Sequence, residues 1–505
     1  MRDEQILIIA EELTQGLRKD SRTFRNSKTL ASVRNLRPFP SGLKPIPSRQ
    51  RPFTSVAVNW PFPQVFRGQT YTLLADETAL YWVDNVLALN AITTYDAYDT
   101  AAVLGLTAGG CWQLMDFGEF FMLFNGNCTA FRSNAAAVTG VDDKVFVQSA
   151  VTINAGTAFR GRGIIGGFNS SDFWRDEWKS LWNAWADVSG TAIDTSQGIG
   201  ENYVWWSSIG GGDILWLFYP EQAESGITGV GFDSDDPLFL RRMKQNQMGF
   251  MPMPWQGSVL AIKPLGNGIM VYGENGVTYL PHIAAPVPTF GMVDLAIPGI
   301  KGRGAVAGNE REHVFVDTIG YIWRITEGPE ADRLGYQEFL TEMSSDVMVS
   351  HDLHENDYYI SDGETGYVLT GSGLAEVKGY PTSIVSIDGL LYEVGIGSYE
   401  QDLYLETDIL DFGERFSKTI HTVEVGLSAP GDVSASVLYR DDKGQLFVES
   451  TWTTLDDSGI FVPVVTGTDF KLALRATNAT DVEIDYIKVW WSVSCKQDVG
   501  SLLDS

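Results

Sequence analysis

Between about Phe66 and Gly395 the apolar residues fall in short runs separated by polar, glycine-bearing turns, and helical spacing is scarce. Runs at 71–75, 80–83, 120–124, 145–147, 204–206 and 314–316 have the length and composition of β-strands. Four pairs of runs read as hairpins, with turns at 274–276, 317–321, 362–366 and 388–389. Each turn is rich in Asp, Asn and Gly, the residues that tolerate the positive φ of tight hairpins, and each second strand carries an aromatic. Further on, between 400 and 494, strict alternation takes over. Phe470, Leu472 and Leu474 alternate with Lys471 and Arg475, and Val433, Ala435 and Val437 with Ser434 and Ser436. One face of each strand is therefore expected to be buried and the other wet.

Spacing predicts the architecture. Repeat starts near Trp112, Ala158, Val204, Val259, Ala305 and Val349 lie about 45 to 55 residues apart, close to the repeat of a four-stranded propeller blade. The expected fold is all-β: an irregular β-propeller of about seven blades (six to eight possible), then a C-terminal β-sandwich, preceded by an extended basic N-terminal arm. A stack of separate sandwiches is the competing architecture. The sandwich follows from seven runs at roughly 12-residue spacing. Expected boundaries are 1–60 for a short helix (about Asp3 to Lys19) and a Pro-rich arm, 61–398 for the propeller, 399–496 for the sandwich and 497–505 for a flexible tail. A helical insert near 172–186 places Trp174, Trp178, Trp182 and Trp185 on one face. Such a face suits buried core or a subunit contact better than a sugar platform.

Composition narrows the function. Among 505 residues, 36 Lys+Arg stand against 64 Asp+Glu, a net charge of −28, which argues against a protein that neutralises nucleic-acid phosphates over its whole surface. With 44% hydrophobic residues the chain has ample core. No apolar run is long enough to span a membrane, and the acidic N-terminus is unlike a secretory signal. Cys111, Cys128 and Cys495 form neither a disulfide framework nor a zinc pair, so a reducing cytoplasm is expected. The charge is uneven. Arg18, Lys19, Arg22, Arg25, Lys28, Arg34, Arg37, Lys44, Arg49 and Arg51 share their window with one acid, Asp20. A basic, proline-rich arm on an acidic body reads as a docking element for another protein, another copy or nucleic acid.

Candidate chemistry is thin. His351, Asp352, His354 and Asp357 lie at a strand-to-turn junction, and a polar turn accounts for them better than a metal site. The acids of 233–236 lack calcium-loop spacing, and His421 sits in phase with sheet residues. Gly161, Gly163, Gly166 and Gly167, beside Arg160 and Arg162, suggest close backbone approach, and 210–212 lacks the lysine of a phosphate loop. The turn 317–323 comes near the Asp-box of sialidase-like propellers, but its Asp–Gly spacing is one residue too long and it does not recur. Neither a nucleophile elbow nor a distinguished carboxylate pair is present, so no catalytic residue, cofactor or metal is expected, and the protein is expected not to be an enzyme.

The stretches at 162–167, 204–210 with Trp216, 269–277, 314–317 and 406–413 with Lys418, in the order arm, propeller and sandwich, resemble the tail nozzle and packaged-DNA stabilisation (plug) proteins of short-tailed bacteriophages. The Trp-rich insert is not part of that family's pattern. The resemblance implies a virion tail protein assembled in the bacterial cytoplasm. It implies a hexameric ring against portal, adaptor and other tail proteins, and an acidic channel that retains and then passes double-stranded DNA, with no membrane insertion by this chain. The alternatives are a carbohydrate-binding or glycan-cleaving propeller, such as a receptor-recognition protein, and a non-viral scaffold propeller.

Overall fold

A computed structural model describes residues 5–17, 30–47, 49–53, 63–69, 71–96, 101–118, 121–132, 145–148, 152–169, 200–207, 209, 249–284, 289–395, 402–414, 416–428, 432–441, 445–477 and 482–494. Strands dominate, arranged in many small sheets. The chain divides into two compact units, and these are interleaved in sequence where consecutive domains were expected. The larger comprises Gln50–His351 and Pro381–Ile396; the smaller comprises Met1–Arg49, Asp352–Tyr380 and Gly397–Ser505.

Among the described residues the larger unit holds, in chain order, five mainly antiparallel sheets and then a two-stranded hairpin. The first runs through Gln64–Arg67, Thr72–Ala75, Leu80–Val83 and Leu89–Ala91. The second contains Gln113–Asp116, Phe121–Phe124, Thr129–Arg132 and Val145–Gln148, with Thr94–Asp96 added parallel at its edge. The third is Thr152–Phe159, Arg162–Asn169, Tyr203–Trp206 and Gly249–Pro252. The fourth is built on Val259–Leu265, Gly268–Gly273 and Val277–Ile283, and the fifth on Val306–Gly308, Glu312–Val316, Ile322–Thr326 and Glu330–Gly335. Val204, expected to open a repeat, is instead inside the third sheet, because the long segments on either side of Tyr203–Trp206 stretch the spacing there.

Neighbouring sheets share core. Tyr71, Leu73 and Leu80 of the first bury against Phe121, Leu123 and Val145 of the second. The ring of Phe124 in the second lies over Gly156 in the third, where a Cβ would collide with it. Ile164, Val204 and Trp206 join Val259, Ile269 and Leu280 of the fourth. Tyr272 of the fourth meets Phe315 of the fifth at 5.3 Å between ring centres. Ahead of the fifth sheet, the Gly304 carbonyl accepts from the amide of Val349, and Ser350 Oγ donates to the Pro381 carbonyl at 3.3 Å. The hairpin Pro381–Ile387/Leu390–Gly395 then returns to the first sheet, where Ser383 Oγ donates to the Val65 carbonyl at 3.0 Å and Val385, Tyr392 and Val394 bury with Val65 and Leu74.

The expected hairpins are present, and their turn chemistry is visible. Asp388 and Gly389 take φ of 51° and 81°, and Arg160 and Gly161 take 49° and 73°. Asp317 fills the loop ahead of Ile322–Thr326. Its Oδ1 accepts from the amides of Ile319, Gly320 and Tyr321 at 2.8–2.9 Å, and its Oδ2 from Trp323 Nε1 at 2.8 Å. Asn125, Asn309 and Asp362 close other hairpins the same way, each accepting two backbone amides.

The smaller unit contains two extended sheets. In one, Ile484–Val493 pairs with Lys418–Leu427 on one side and with Gln5–Ile9 on the other, where Leu43 of the hairpin Leu36–Phe39/Gly42–Pro45 also reaches it. In the other, Leu30–Arg34 lies parallel to Leu374–Glu376 and antiparallel to Leu403–Thr407. Asp469–Ala476 and Val433–Arg440 follow. Phe412 ties the two together, its ring 4.9 Å from Trp491 and 5.7 Å from Phe470. Phe470, Leu472 and Leu474 are buried as their alternation requires.

The N-terminal segment departs from expectation. In place of a helix over residues 3–19 there is a strand, Gln5–Ile9, and a five-residue helix, Glu11–Gln15. The β-branched run Ile6, Ile8, Ile9 gains a full ladder with Ile487–Trp491, and that long-range pairing overrides local propensity. Gly16, at φ 68°, ends the helix where any Cβ would strike the Leu374 carbonyl. Pro38 is accommodated because Leu36–Phe39 is an edge strand that needs no donor on its free side.

Candidate functional site

The described half of the basic arm is built into the fold rather than held out for a partner. Arg37 Nη1 donates to Asp357 Oδ2 at 2.6 Å and to Glu355 Oε2 at 3.1 Å. Arg49 pairs with Asp352, donates to the Tyr359 hydroxyl at 3.0 Å and lies over that ring at 4.8 Å. Arg34 meets Glu376 at 3.1 Å, and Lys44 is 3.8 Å from Glu483. In the larger unit, Arg51 Nε donates to the fully buried Glu393 at 2.6 Å. Of the five arm cations described, Arg37, Arg49 and Arg51 are largely buried in their ion pairs and not free to dock, whereas Arg34 and Lys44 stay partly exposed. Leu36–Phe39 is buried on both faces, so Arg37 is carried inward with its strand, and a buried charge then requires a carboxylate. Burial works against the Asp352 charge, but the Arg49 guanidinium outweighs it and holds the carboxyl below its ordinary range. Arg18, Lys19, Arg22, Arg25 and Lys28 lie outside the described residues, as do Trp174, Trp178, Trp182 and Trp185, the acids of 233–236 and the glycines of 210–212.

Other expected positions resolve into structure. Asp352 and Asp357, weighed as metal ligands, are the carboxylates of the arginine pairs. His421 meets Ser492 Oγ at 2.7 Å. Gly167 has φ 73° and touches the Val259 backbone, and Gly166 is hemmed in by Ile262 and the Tyr203 carbonyl, the close approach its glycines suggested. Among the described residues no helix is long and apolar enough to cross a membrane.

The larger unit contains a cavity of about 630 Å³ whose walls come from separate loops: Glu77, Gly110 and Cys111, Leu260 and Glu274, the segment Ile300–Gly304, and Asp346 with Met348. Arg303 dominates its interior. Its Nη1 donates to Asn154 Oδ1 at 3.3 Å, and its Nη2 donates to the carbonyls of Phe124, at 3.2 Å, and Asn154. Burial, with no carboxylate to offset it, pulls the guanidinium down to about 10, so it stays charged at neutral pH. Lys263 is lowered by burial too, with only the Cys111 thiol acting to raise it. Burial in turn pushes the Cys111 thiol up against the opposing pull of Arg303 and Lys263. Sequence reading missed this site. The local pattern there, Lys301-Gly302-Arg303-Gly304, could not have singled it out, because Arg160-Gly161-Arg162-Gly163 repeats it elsewhere in the chain.

No family model matches the chain, and no curated protein does. Among solved structures it is similar to PorZ, a surface component of the type-IX secretion system of Porphyromonas gingivalis, with a TM-score of 0.31 and 10% identity over 68% of this chain and 35% of that one. The Pan2 WD40 domain of Neurospora crassa gives 0.33 and 8% over 68% and 86%. The extracellular domain of a putative one-component system of B. thetaiotaomicron gives 0.37 and 8% over 92% and 64%. Scores this low assign neither fold nor function.

Proposed function

We propose that the protein is a non-catalytic structural subunit of a short-tailed bacteriophage tail, a nozzle-type ring component through whose acidic channel the genome is retained and then released. The observation that supports this most is the order of sheets in the larger unit: each packs on the next, and the hairpin Pro381–Gly395 returns to the first. That closure is the arrangement of an irregular β-propeller, which leaves no long sheet edge open and makes a stiff wall element. In the same reading the two sheets joined by Phe412 are the β-sandwich. A body of net charge −28 suits a passage for a duplex bearing one charge per roughly 1.7 Å, because a wall that does not neutralise phosphates does not hold them. Docking to portal and adaptor proteins falls to Arg18, Lys19, Arg22, Arg25 and Lys28, since the later cations of the arm are occupied within the chain.

The test is immunogold electron microscopy of the particle fraction from the source culture, with antibody raised against the 402–494 region. Label confined to one vertex or tail is expected. Antigen found only in soluble cell extract, with unlabelled particles, would refute the reading.

A further inference from the structure

The cavity of the larger unit has a cationic interior that the chain's own carboxylates do not compensate. Every acceptor of Arg303 is neutral, and its Nε is buried with no acceptor at all. Lys263, half-buried and close enough to Cys111 for their charges to interact, has no hydrogen-bond or ion-pair partner among the described residues. The backbone amides of Gly302, Arg303 and Gly304 likewise donate to no described group. Consecutive amides with glycine on either side of a cation are a recurrent setting for oxyanions, since nothing shields the N–H groups. A guanidinium that served only to clamp Phe124 and Asn154 would need its Nη atoms alone; the buried Nε would be cost without return.

The acids of the cavity wall are arranged differently. Glu77, Glu274 and Asp346 are all exposed, while Arg303 and Cys111 are half-buried and Arg303 Nε is shielded from solvent. A negative rim around a positive interior repels polyanions and admits only a ligand small enough to pass it. The volume suits a metabolite-sized molecule or free ion.

We propose that this cavity binds a small oxyanion, a phosphate or carboxylate group, with Arg303 Nε and the amides of 302–304 as its donors and Lys263 strengthening the field. This assignment does not depend on the tail reading and holds for any role of the chain.

Cys111 is a free thiol on the cavity wall and reports occupancy, and Cys128, also free but outside the cavity, is an internal control. Full-length protein is alkylated with iodoacetamide, a neutral reagent, at constant ionic strength in chloride, phosphate or acetate, and the rate at each cysteine is followed by mass spectrometry. Saturable slowing at Cys111 but not Cys128 is expected in phosphate, acetate or both, and the stronger competitor names the group. Arg303→Gln abolishes the effect. Lys263→Met, which exchanges an unpartnered ammonium for an apolar chain, retains the fold and raises the half-saturating concentration about tenfold, the loss of one charge contribution. Equal rates in all three salts, equal slowing of both cysteines, or an unchanged half-saturation in Lys263→Met would each overturn the proposal, even if Arg303→Gln fails to fold.

Discussion

His313 makes the stability of the fifth sheet depend on pH in a calculable way. The ring is 1% exposed, on the central strand Glu312–Val316. It makes a backbone hydrogen bond at Pro264, and its Nδ1 meets the Tyr272 hydroxyl at 2.9 Å. Both contacts suit a neutral imidazole. Burial, then the nearby Lys263, pulls its pKa from 6.5 to about 3. The unfolded chain therefore takes up a proton near pH 6.5 that the folded chain refuses until about pH 3. Stability from this group is complete above pH 6.5 and falls as the pH drops through that window, with a limiting slope of about 1.4 kcal/mol per pH unit. Between pH 7 and pH 5 the loss is about 2 kcal/mol. Other acid-linked groups contribute as well, so the comparison is with His313→Gln, which removes this titration only. Because a chain of two units need not unfold in one step, the readout is hydrogen exchange of peptides covering 306–335. The variant is expected to lie below the wild type at pH 7 and to close most of that gap at pH 5. A gap of the same size at both values, or an imidazole titrating near 6.5 by NMR, would refute the neutral buried histidine.

Three further outcomes follow from the same geometry. Arg49→Ala strands Asp352 and should cost the smaller unit about 3–5 kcal/mol, whereas Arg49→Met with Asp352→Leu, removing both charges, should cost clearly less; urea titration followed by exchange of residues 357–376 separates the two. Asp317→Ala removes the acceptor of three amides and an indole N–H and should lower the stability of the fifth sheet by about 3 kcal/mol, with Asp317→Asn falling between it and the wild type by the same exchange measurement. Gly167→Ala, which meets both a φ of 73° and the Val259 carbonyl, should destabilise the third sheet by more than about 1 kcal/mol, read as faster exchange across 152–169.

What the chain made legible was local. Turns such as Asp388-Gly389 and Asp317–Tyr321 announce themselves because a hairpin restricts which residues can take its backbone angles. The alternation at 469–476 is readable because one face is buried. The fate of Gln5–Ile9 was not readable, since its partner lies near residue 489 and no periodicity reports a contact that remote. The arm misled for a related reason. Clustered Arg and Lys with few nearby acids look unpaired in sequence, yet Asp352, Asp357, Glu376 and Glu393 arrive from more than 300 residues away. The cavity is likewise assembled from loops around 77, 110, 274, 303 and 346, each unremarkable alone.

The pairing of Gln5–Ile9 with Ile487–Trp491 also sets a timetable for synthesis. Gln5–Ile9 cannot find its neighbour until roughly 480 further residues have been made, which at about 5–20 residues per second is tens of seconds or more. Ile6 and Ile8, 56% exposed even in the finished protein, stay wholly unpaired through that interval, while sheets of near-sequential strands such as the fourth and fifth have all their partners within a few dozen residues and can close during translation. Of the described strands Gln5–Ile9 thus waits longest for its partner, and a holding chaperone that captures it should raise the yield of folded protein more than one acting on the sequentially paired sheets.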